Sequence, residues 1–530
     1  MIRRWRRSAS RAGSTLLARV FVLIELVSRD ETIRRGKTIR QLTSWLSFPQ
    51  GRLRHLVPAN LRRLGTQLHS FIHMSAMARQ RYATQSELHT PPADAHLSLT
   101  RLWIVEMLTS STVDAALRAL RRGRLGLEQH ELDEWVMDIR GRAPFEGSRG
   151  IGTFTRAGPV GLFDRAGKAR DLPRQFSRVE LRIASVTRTI NAVIAEFTLT
   201  DDAAGEIESL LRAPTPDRIT REHGGAIGST FAENVKAEQV LMWRDQLHRE
   251  AHRWLTRQVP GIFSSKSTRG AVPTAELVVV DGETPLQGRF LSRSARWLHA
   301  CDLDGVMGEV WICTDPVGLR AKVPLGFEEP RIRHNLLLAA ARSHLPAAST
   351  VAPTGSRSDL PDALRDVEWD GLLVAWGLRS LAEVWEAQGS LSRDLSSRRW
   401  GRWRTIRALN GLQVYLKTVA IDVAISADEL QDLVTQQSTS FEWQFPSFLQ
   451  LSERQPSVVT TLAASMRAEY SDRVAKLERL IGRLSDTLET IGSVTAAATG
   501  VRLQRRALYI AAIAVAIAIV GLVIALHSHS

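Results

Sequence analysis

"RRALYIAAIAVAIAIVGLVIALHSHS", residues 505–530, decides between a chain that is soluble throughout and one tied to a bilayer. Arg505 and Arg506 precede twenty residues, Ala507 to Leu526, that carry no charge. As a helix these extend roughly 30 Å, the thickness of a hydrocarbon core. Eleven of them are Leu, Ile or Val, which together favour insertion by about 4 kcal/mol, with Ala near neutral. A helix buried in a protein core is also apolar all round, but at this length it ordinarily carries a polar residue. The segment is therefore expected to be a transmembrane helix. Arg502, Arg505 and Arg506 flank it on one side, His527 and His529 on the other. Lys and Arg excess stays cytoplasmic, which places the bulk of the chain on that side. With four residues beyond the span, the expected route is post-translational insertion of a tail-anchored, single-pass protein.

Inside the span Ala507, Ala511, Ala514, Ala518, Gly521 and Ala525 recur at alternating spacings of four and three. Small residues on one face let helix backbones approach closely in lipid. Upstream, Tyr470, Val474, Leu477, Ile481, Leu484, Leu488 and Ile491 follow the same rhythm, the seam of a coiled coil over residues 466–500. In a parallel pair Arg473 would meet Glu478 of the second chain. A helix packing on its own chain uses the same spacing, so both readings stand. The two seams are out of phase by two residues, and Gly492 and Gly500 lie between them, where a break or change of twist is needed to use both.

The net charge of +15 is unevenly placed. Residues 1–90 hold 17 Lys and Arg against 4 Asp and Glu, leaving 53 against 51 for the remainder, so the body has no bulk field for a polyanion. The 63 arginines against 7 lysines reflect a GC-rich bacterial genome better than phosphate recognition. No interleaved aromatic platform or reader motif accompanies the basic segment, so nucleic acid is not the expected partner. Membrane lipid is nearer: Leu16, Leu17, Val20, Leu23, Ile24 and Val27 fall on one helical face, suited to an anionic leaflet or to packing on the body. A third reading makes Met74 or Met77 the true start. Two cysteines, Cys301 and Cys313, are too few for a disulfide framework and suit a reducing compartment as core thiols.

Residues 1–95 read as a basic segment of amphipathic or partly disordered character, and a folded α+β domain is expected over 96–345. Strands are expected at 102–107, 151–155, 179–185, 192–199, 276–280 and 309–314, and helices at 112–122, 201–211 with Thr200 as cap, and 232–258. Residues 346–362, rich in Pro, Ala, Ser and Thr, read as a linker. A helical domain over 363–465 follows, with six of the fourteen tryptophans between 369 and 443 suggesting a packed core.

No phosphate-binding loop, nucleophile elbow, zincin motif or paired CxxC occurs in the chain. "HGGAIGST" from His223 reads as a turn before a helix. "HREAH" sets His248 and His252 one helical turn apart, with Glu250 on another face and no third ligand, which reads as solvated histidines. "LHACDLDG" sets His299 two residues before Cys301. On a strand the two would stand side by side rather than aim at one another, so a core thiol beside a partly exposed histidine is the plainer reading of a potential dyad. Glu106 and Glu196 receive no role. No cofactor and no metal are expected.

The expected function is a membrane-anchored bacterial protein that displays its cytoplasmic domains as an oligomeric sensor, scaffold or adaptor for a protein partner and ligand that no motif identifies. The alternatives are a membrane-tethered hydrolase or peptidase, for which His299 and Cys301 are the candidates, and an oligomeric channel. The all-apolar span offers no charged pore lining for the last.

Overall fold

The computed structural model describes residues 90–122, 148–156, 166–168, 171–221, 227–264, 272–287, 296–305, 308–324, 334–345, 361–365, 367–397, 446–450 and 460–479, with a few single positions beyond. The expected amphipathic face at Leu16–Val27 lies outside them. So do most of the expected transmembrane helix and the seam residues Leu484, Leu488 and Ile491. Among the described residues no helix is long and apolar enough to cross a membrane.

The chain divides into two compact units. In the smaller, the described residues form a hairpin of β6 (Arg218–Arg221) and β7 (Ile227–Thr230). "HGGAIGST" therefore ends in a strand, and the helix follows it.

The larger unit is mixed α and β, built on one ten-stranded sheet. Its strands are β1 (His96–Leu108), β2 (Ser148–Thr155), β3 (Ala166–Lys168), β4 (Phe176–Ser185), β5 (Asn191–Leu199), β8 (Thr274–Asp281), β9 (Glu309–Cys313), β10 (Leu319–Val323), β11 (Asn335–Ala341) and β12 (Phe448–Gln450). The spatial order is β12-β9-β10-β11-β8-β1-β5-β4-β2-β3, antiparallel except for the pairs β8 with β11 and β2 with β3. All six strands expected from alternation are present, five of them longer than expected and β9 one residue shorter. β10 and β11 were not among them: "NLLLAAA" carries Leu and Ala, residues of high helix propensity, and becomes a strand because both its faces are buried.

Alternation explains the layering. Trp103, Val105 and Met107 of β1 enter one core with Ala275, Leu277 and Val279 of β8, while Leu102, Ile104 and Leu108 enter the other with Val278 and Val280. The second face is covered by α1 (Val113–Arg121), α2 (Asp201–Arg212) and α3 (Ala232–Gln258, from Lys236 onward). Thr200 caps α2 as expected, its hydroxyl accepting from the Ala203 amide at 3.2 Å. The first face is covered by α5 (Asp370–Ser397), which follows the short α4 (Asp362–Arg365), and by a helix over residues 462–479, α6.

The linker expected at 346–362 thus separates no two cores among the described residues. Trp369, Trp376 and Trp385 are buried as expected, but in the sheet's own core. Trp376 donates its indole N–H to the carbonyls of Thr274 (3.0 Å) and His334 (3.1 Å), and β12 forms an edge of the same sheet. Composition marked the break because 346–362 lacks periodicity; the apolar face of α5, invisible as to partner in one dimension, returns across it. Contact is closest at Gly377, where an added Cβ would lie 2.8 Å from Val105 Cγ1 and 3.1 Å from Met107 Sδ. Gly377→Ala is expected to cost about 1–3 kcal/mol as overpacking, read as a lower denaturation midpoint with an unchanged m-value.

Candidate functional site

Two polar clusters and one apolar segment stand out against this frame. The first cluster lies between α3 and the second face of the sheet. Glu276 sits in the middle of β8 and Glu106 near the end of β1, both at positions that an apolar residue would otherwise occupy, and both are fully buried. Glu276 takes a guanidinium fork from Arg244, with Nε at 3.1 Å from Oε1 and Nη2 on Oε2, and it also meets His248 Nε2. Arg244 Nη1 donates to the Cys301 carbonyl at 3.1 Å. Burial would raise the Glu276 carboxyl, but Arg244 and His248 outweigh it and hold the group well below the usual carboxylate range. One and two turns along α3, His252 Nε2 lies 3.9 Å from Glu106 Oε2 and 3.3 Å from Thr256 Oγ1. Glu106 also accepts from the Phe263 amide and the Ser264 hydroxyl, each at 2.7 Å. Gly261 is obligatory there, since a Cβ would come within 2.6 Å of Glu106.

His248 and His252 therefore do not point into solvent as expected; each faces a buried carboxylate of the sheet. Glu250 lies on another face as expected, accepting from Gln246 at 3.1 Å. No group of three or more His, Cys, Asp or Glu able to hold a metal occurs among the described residues. The sequence carries a signal for this: "LWIVEML" (102–108) and "AELVVV" (275–280) each place one carboxylate among otherwise apolar residues of a central strand, which requires a buried partner. Glu196, facing the first core, accepts from Arg101 Nε at 3.0 Å, Trp103 Nε1 at 3.1 Å and Arg182 Nη2.

His299 and Cys301 lie on a 3₁₀ helix, Arg296–Cys301, not on a strand. His299 Nδ1 pairs with Asp304 at 2.6 Å and is about half exposed, whereas Cys301 is buried. Burial pushes the Cys301 thiol up to about 12, which leaves essentially no thiolate at neutral pH. Cys313 is likewise buried and free, its thiol pushed by burial up to about 11. The dyad weighed for the hydrolase alternative, His299 with Cys301, therefore lacks a thiolate. Lys236, buried and donating to the Leu211 carbonyl at 2.6 Å, is lowered by burial to about 8.

The second cluster lies on the other face, between α5 and α6. Arg473 Nη2 meets Glu469 at 2.8 Å and Glu383 at 2.9 Å, and its Nη1 meets Glu386 at 3.3 Å. Arg379 meets Glu469 at 3.2 Å. Tyr470, Val474 and Leu477 are buried in the first core and Ile481 packs against it. The first part of the expected seam thus faces the chain's own body, and Arg473, expected opposite Glu478 of another chain, is engaged by α5.

Among the described positions after residue 479, Asp486, Glu489, Gln504, Leu508, Ile510 and Val515 are helical and exposed. Leu508 is 69 %, Ile510 68 % and Val515 59 % exposed. Arg502, Arg505, Arg506 and the small-residue face from Ala507 to Ala525 lie outside the described residues. A shallow open groove of 690 Å³ on α2 and α3 is lined by Asp201, Asp202, Glu206 and Trp243 among others. Trp243 donates to Glu206 across it at 2.9 Å.

No protein-family model, curated protein or solved structure matches this chain.

Proposed function

We propose that this protein is held at the bacterial inner membrane by a transmembrane helix at residues 507–526. It displays its mixed α and β body on the cytoplasmic side as an oligomeric sensor, scaffold or adaptor. The observation that carries this reading is the pairing of two facts. The sheet already has a closed apolar core on each face, so the body has no need of twenty further apolar residues. The described side chains of that stretch, Leu508, Ile510 and Val515, lie open rather than packed on the chain. Exposed large apolar groups in a continuous run call for a non-aqueous neighbour, and a run of this length suits lipid. Binding rather than catalysis suits the body, because its buried carboxylates are taken by Arg244, His248 and Ser264 and its thiols are buried. Oligomerisation belongs to the seam beyond Ile481, since the residues before it are used within the body; confinement in a membrane raises the local concentration of such a short seam.

Cells expressing the full chain and a chain ending at Gly500 test the anchor. The full chain is expected in the membrane pellet after alkaline carbonate washing, and the shortened chain in the supernatant. Equal pelleting of both would transfer the anchoring role to the basic N-terminal segment, and equal solubility would remove it altogether.

A further inference from the structure

Two loops at one end of the sheet hold acids by hydroxyl groups. The loop from β1 into α1 carries "TSST", residues 109–112, and the turn from β4 to β5 carries Thr187 and Thr189. The pairing of Leu108 with Asn191 sets the two loops side by side. Both receive acids from the helical positions Asp422 and Glu429. Thr109 Oγ1 donates to Asp422 Oδ2 at 2.7 Å, and Ser111 Oγ donates to the same oxygen at 2.5 Å. Thr189 donates to Glu429 Oε2 from its hydroxyl at 2.7 Å and from its amide at 3.2 Å. Seven residues make about two helical turns, so the two acids share a face. Val423, next to Asp422, is buried in the first core. Among the described residues the donors to these acids are hydroxyls and one amide, with no Lys or Arg. Asp422, 4 % exposed, is thus held by two neutral groups, a fastening with no cation to offset a second negative charge. Ser111 is the exposed half of that fastening: it lies on a loop open to a modifying enzyme, while its oxygen touches the buried acid.

We infer that Ser111 is a phosphorylation site, and that its modification by a protein serine kinase releases Asp422 and Val423 from the end of the sheet. In that step the Ser111 oxygen bonds the γ-phosphorus of a nucleoside triphosphate and the bond from that phosphorus to the β,γ-bridging oxygen breaks. The nucleoside diphosphate leaves, and the hydroxyl proton passes to the kinase. Two losses follow at Asp422. The Ser111 donor is gone, and a group of charge about −1.5 to −2 stands in its place beside the acid. Thr109 adds to both. Its hydroxyl lies 2.7 Å from Asp422 Oδ2 and 3.1 Å from Ser111 Oγ, and its single proton serves either the acid or the phosphate, whose oxygens are strong acceptors. The loop itself keeps its shape, because the Thr109 amide donates to Thr112 Oγ1 at 2.9 Å. Release uncovers the apolar ground beneath Val423, which is what display to a protein partner requires. The inference goes beyond the membrane reading and does not depend on it.

Hydrogen exchange on the full chain in detergent micelles, read in peptides that contain Asp422 and Val423, tests the release. Ser111→Asp is expected to lower their protection roughly tenfold. Ser110→Asp places the same charge one residue away, on an exposed side chain that is not bonded to Asp422, and is expected to leave protection unchanged. Protection of β1 and β8, unchanged in both, is the check on folding. Adding Asp422→Asn to Ser111→Asp removes one of the two facing acids and is expected to return protection to within about twofold of the parent. No effect at 111, equal effects at 110 and 111, or no recovery in the double variant overturns the release. The modification is read separately, by tandem mass spectrometry of the protein isolated under phosphatase inhibition from the cells that make it. Phosphate is expected on Ser111, and a Ser111 found without it overturns the assignment. Membrane fractionation plays no part in either readout, so failure of the anchor leaves both interpretable.

Discussion

Glu276→Gln is expected to lower the stability of the larger unit by about 3–5 kcal/mol, the cost of leaving a buried charge without its counter-ion. Arg244 is the charge left behind. It is almost wholly buried on α3, its fork is shaped to the two Glu276 oxygens, and the Cys301 carbonyl satisfies only one of its N–H groups. Gln keeps the shape of Glu but supplies one acceptor oxygen and no charge. At about 2–4 °C per kcal/mol for a unit of this size, the unfolding midpoint should fall by roughly 10 °C. The triad's own worth is a separate quantity. Replacing Glu276, Arg244 and His248 together by apolar residues of similar volume is expected to recover most of the loss, because the desolvation of all three groups disappears with them. Thermal unfolding of the single and triple variants distinguishes the two. A single variant within 1 kcal/mol of the parent would mean that water reaches the pair. Because the Glu276 carboxyl is held below its ordinary range, its contribution is complete at neutral pH and is lost only as pH falls through that lowered value.

Trp376→Ala should cost at least as much, about 3–5 kcal/mol from the cavity alone. The indole is 1 % exposed and its N–H is shared by the Thr274 and His334 carbonyls, which begin the parallel pair β8 and β11. Truncation removes the ring that fixes α5 on the sheet and takes one donor from each of two carbonyls, of which that of His334 keeps the Thr274 amide at 2.9 Å. Trp376→Phe separates these losses: it keeps most of the volume and forfeits the hydrogen bonds, and is expected to cost about 1–3 kcal/mol. Denaturant midpoints measured on both variants, with hydrogen exchange in α6 as a local probe, check the ordering. Equal effects of Ala and Phe would show that the hydrogen bonds, not the packing, hold α5.

Much of the larger unit was legible in one dimension. Val179, Leu181 and Ile183 alternate with polar residues because one face of β4 is buried and the other partly open, and alternation of period two survives any tertiary arrangement. α2 was readable for a local reason as well, since Thr200 and the acids at 201 and 202 satisfy the first amides of the helix without help from elsewhere. β11 was not readable, because Leu and Ala have no pattern when both faces are buried. His248 and His252 were misjudged because a helical wheel shows which face a residue occupies, never what lies opposite it. The opposite partner, Glu276, is 28 residues away from His248 in sequence and reaches it only through the register of β8 beside β1.

By itself the sequence determined the class of the body, the buried state of its thiols and the existence of one uncharged stretch of twenty residues, Ala507 to Leu526. These follow from composition and period, which are properties of neighbours along the chain. Only the tertiary structure decided that α5 and α6 close the first face of the sheet, that the start of the 4-3 seam is spent within the body, and that Arg473 is held by Glu383 and Glu386. A helix face records that it needs an apolar neighbour; which neighbour arrives depends on the sum of burial and ion pairing over elements a hundred residues apart.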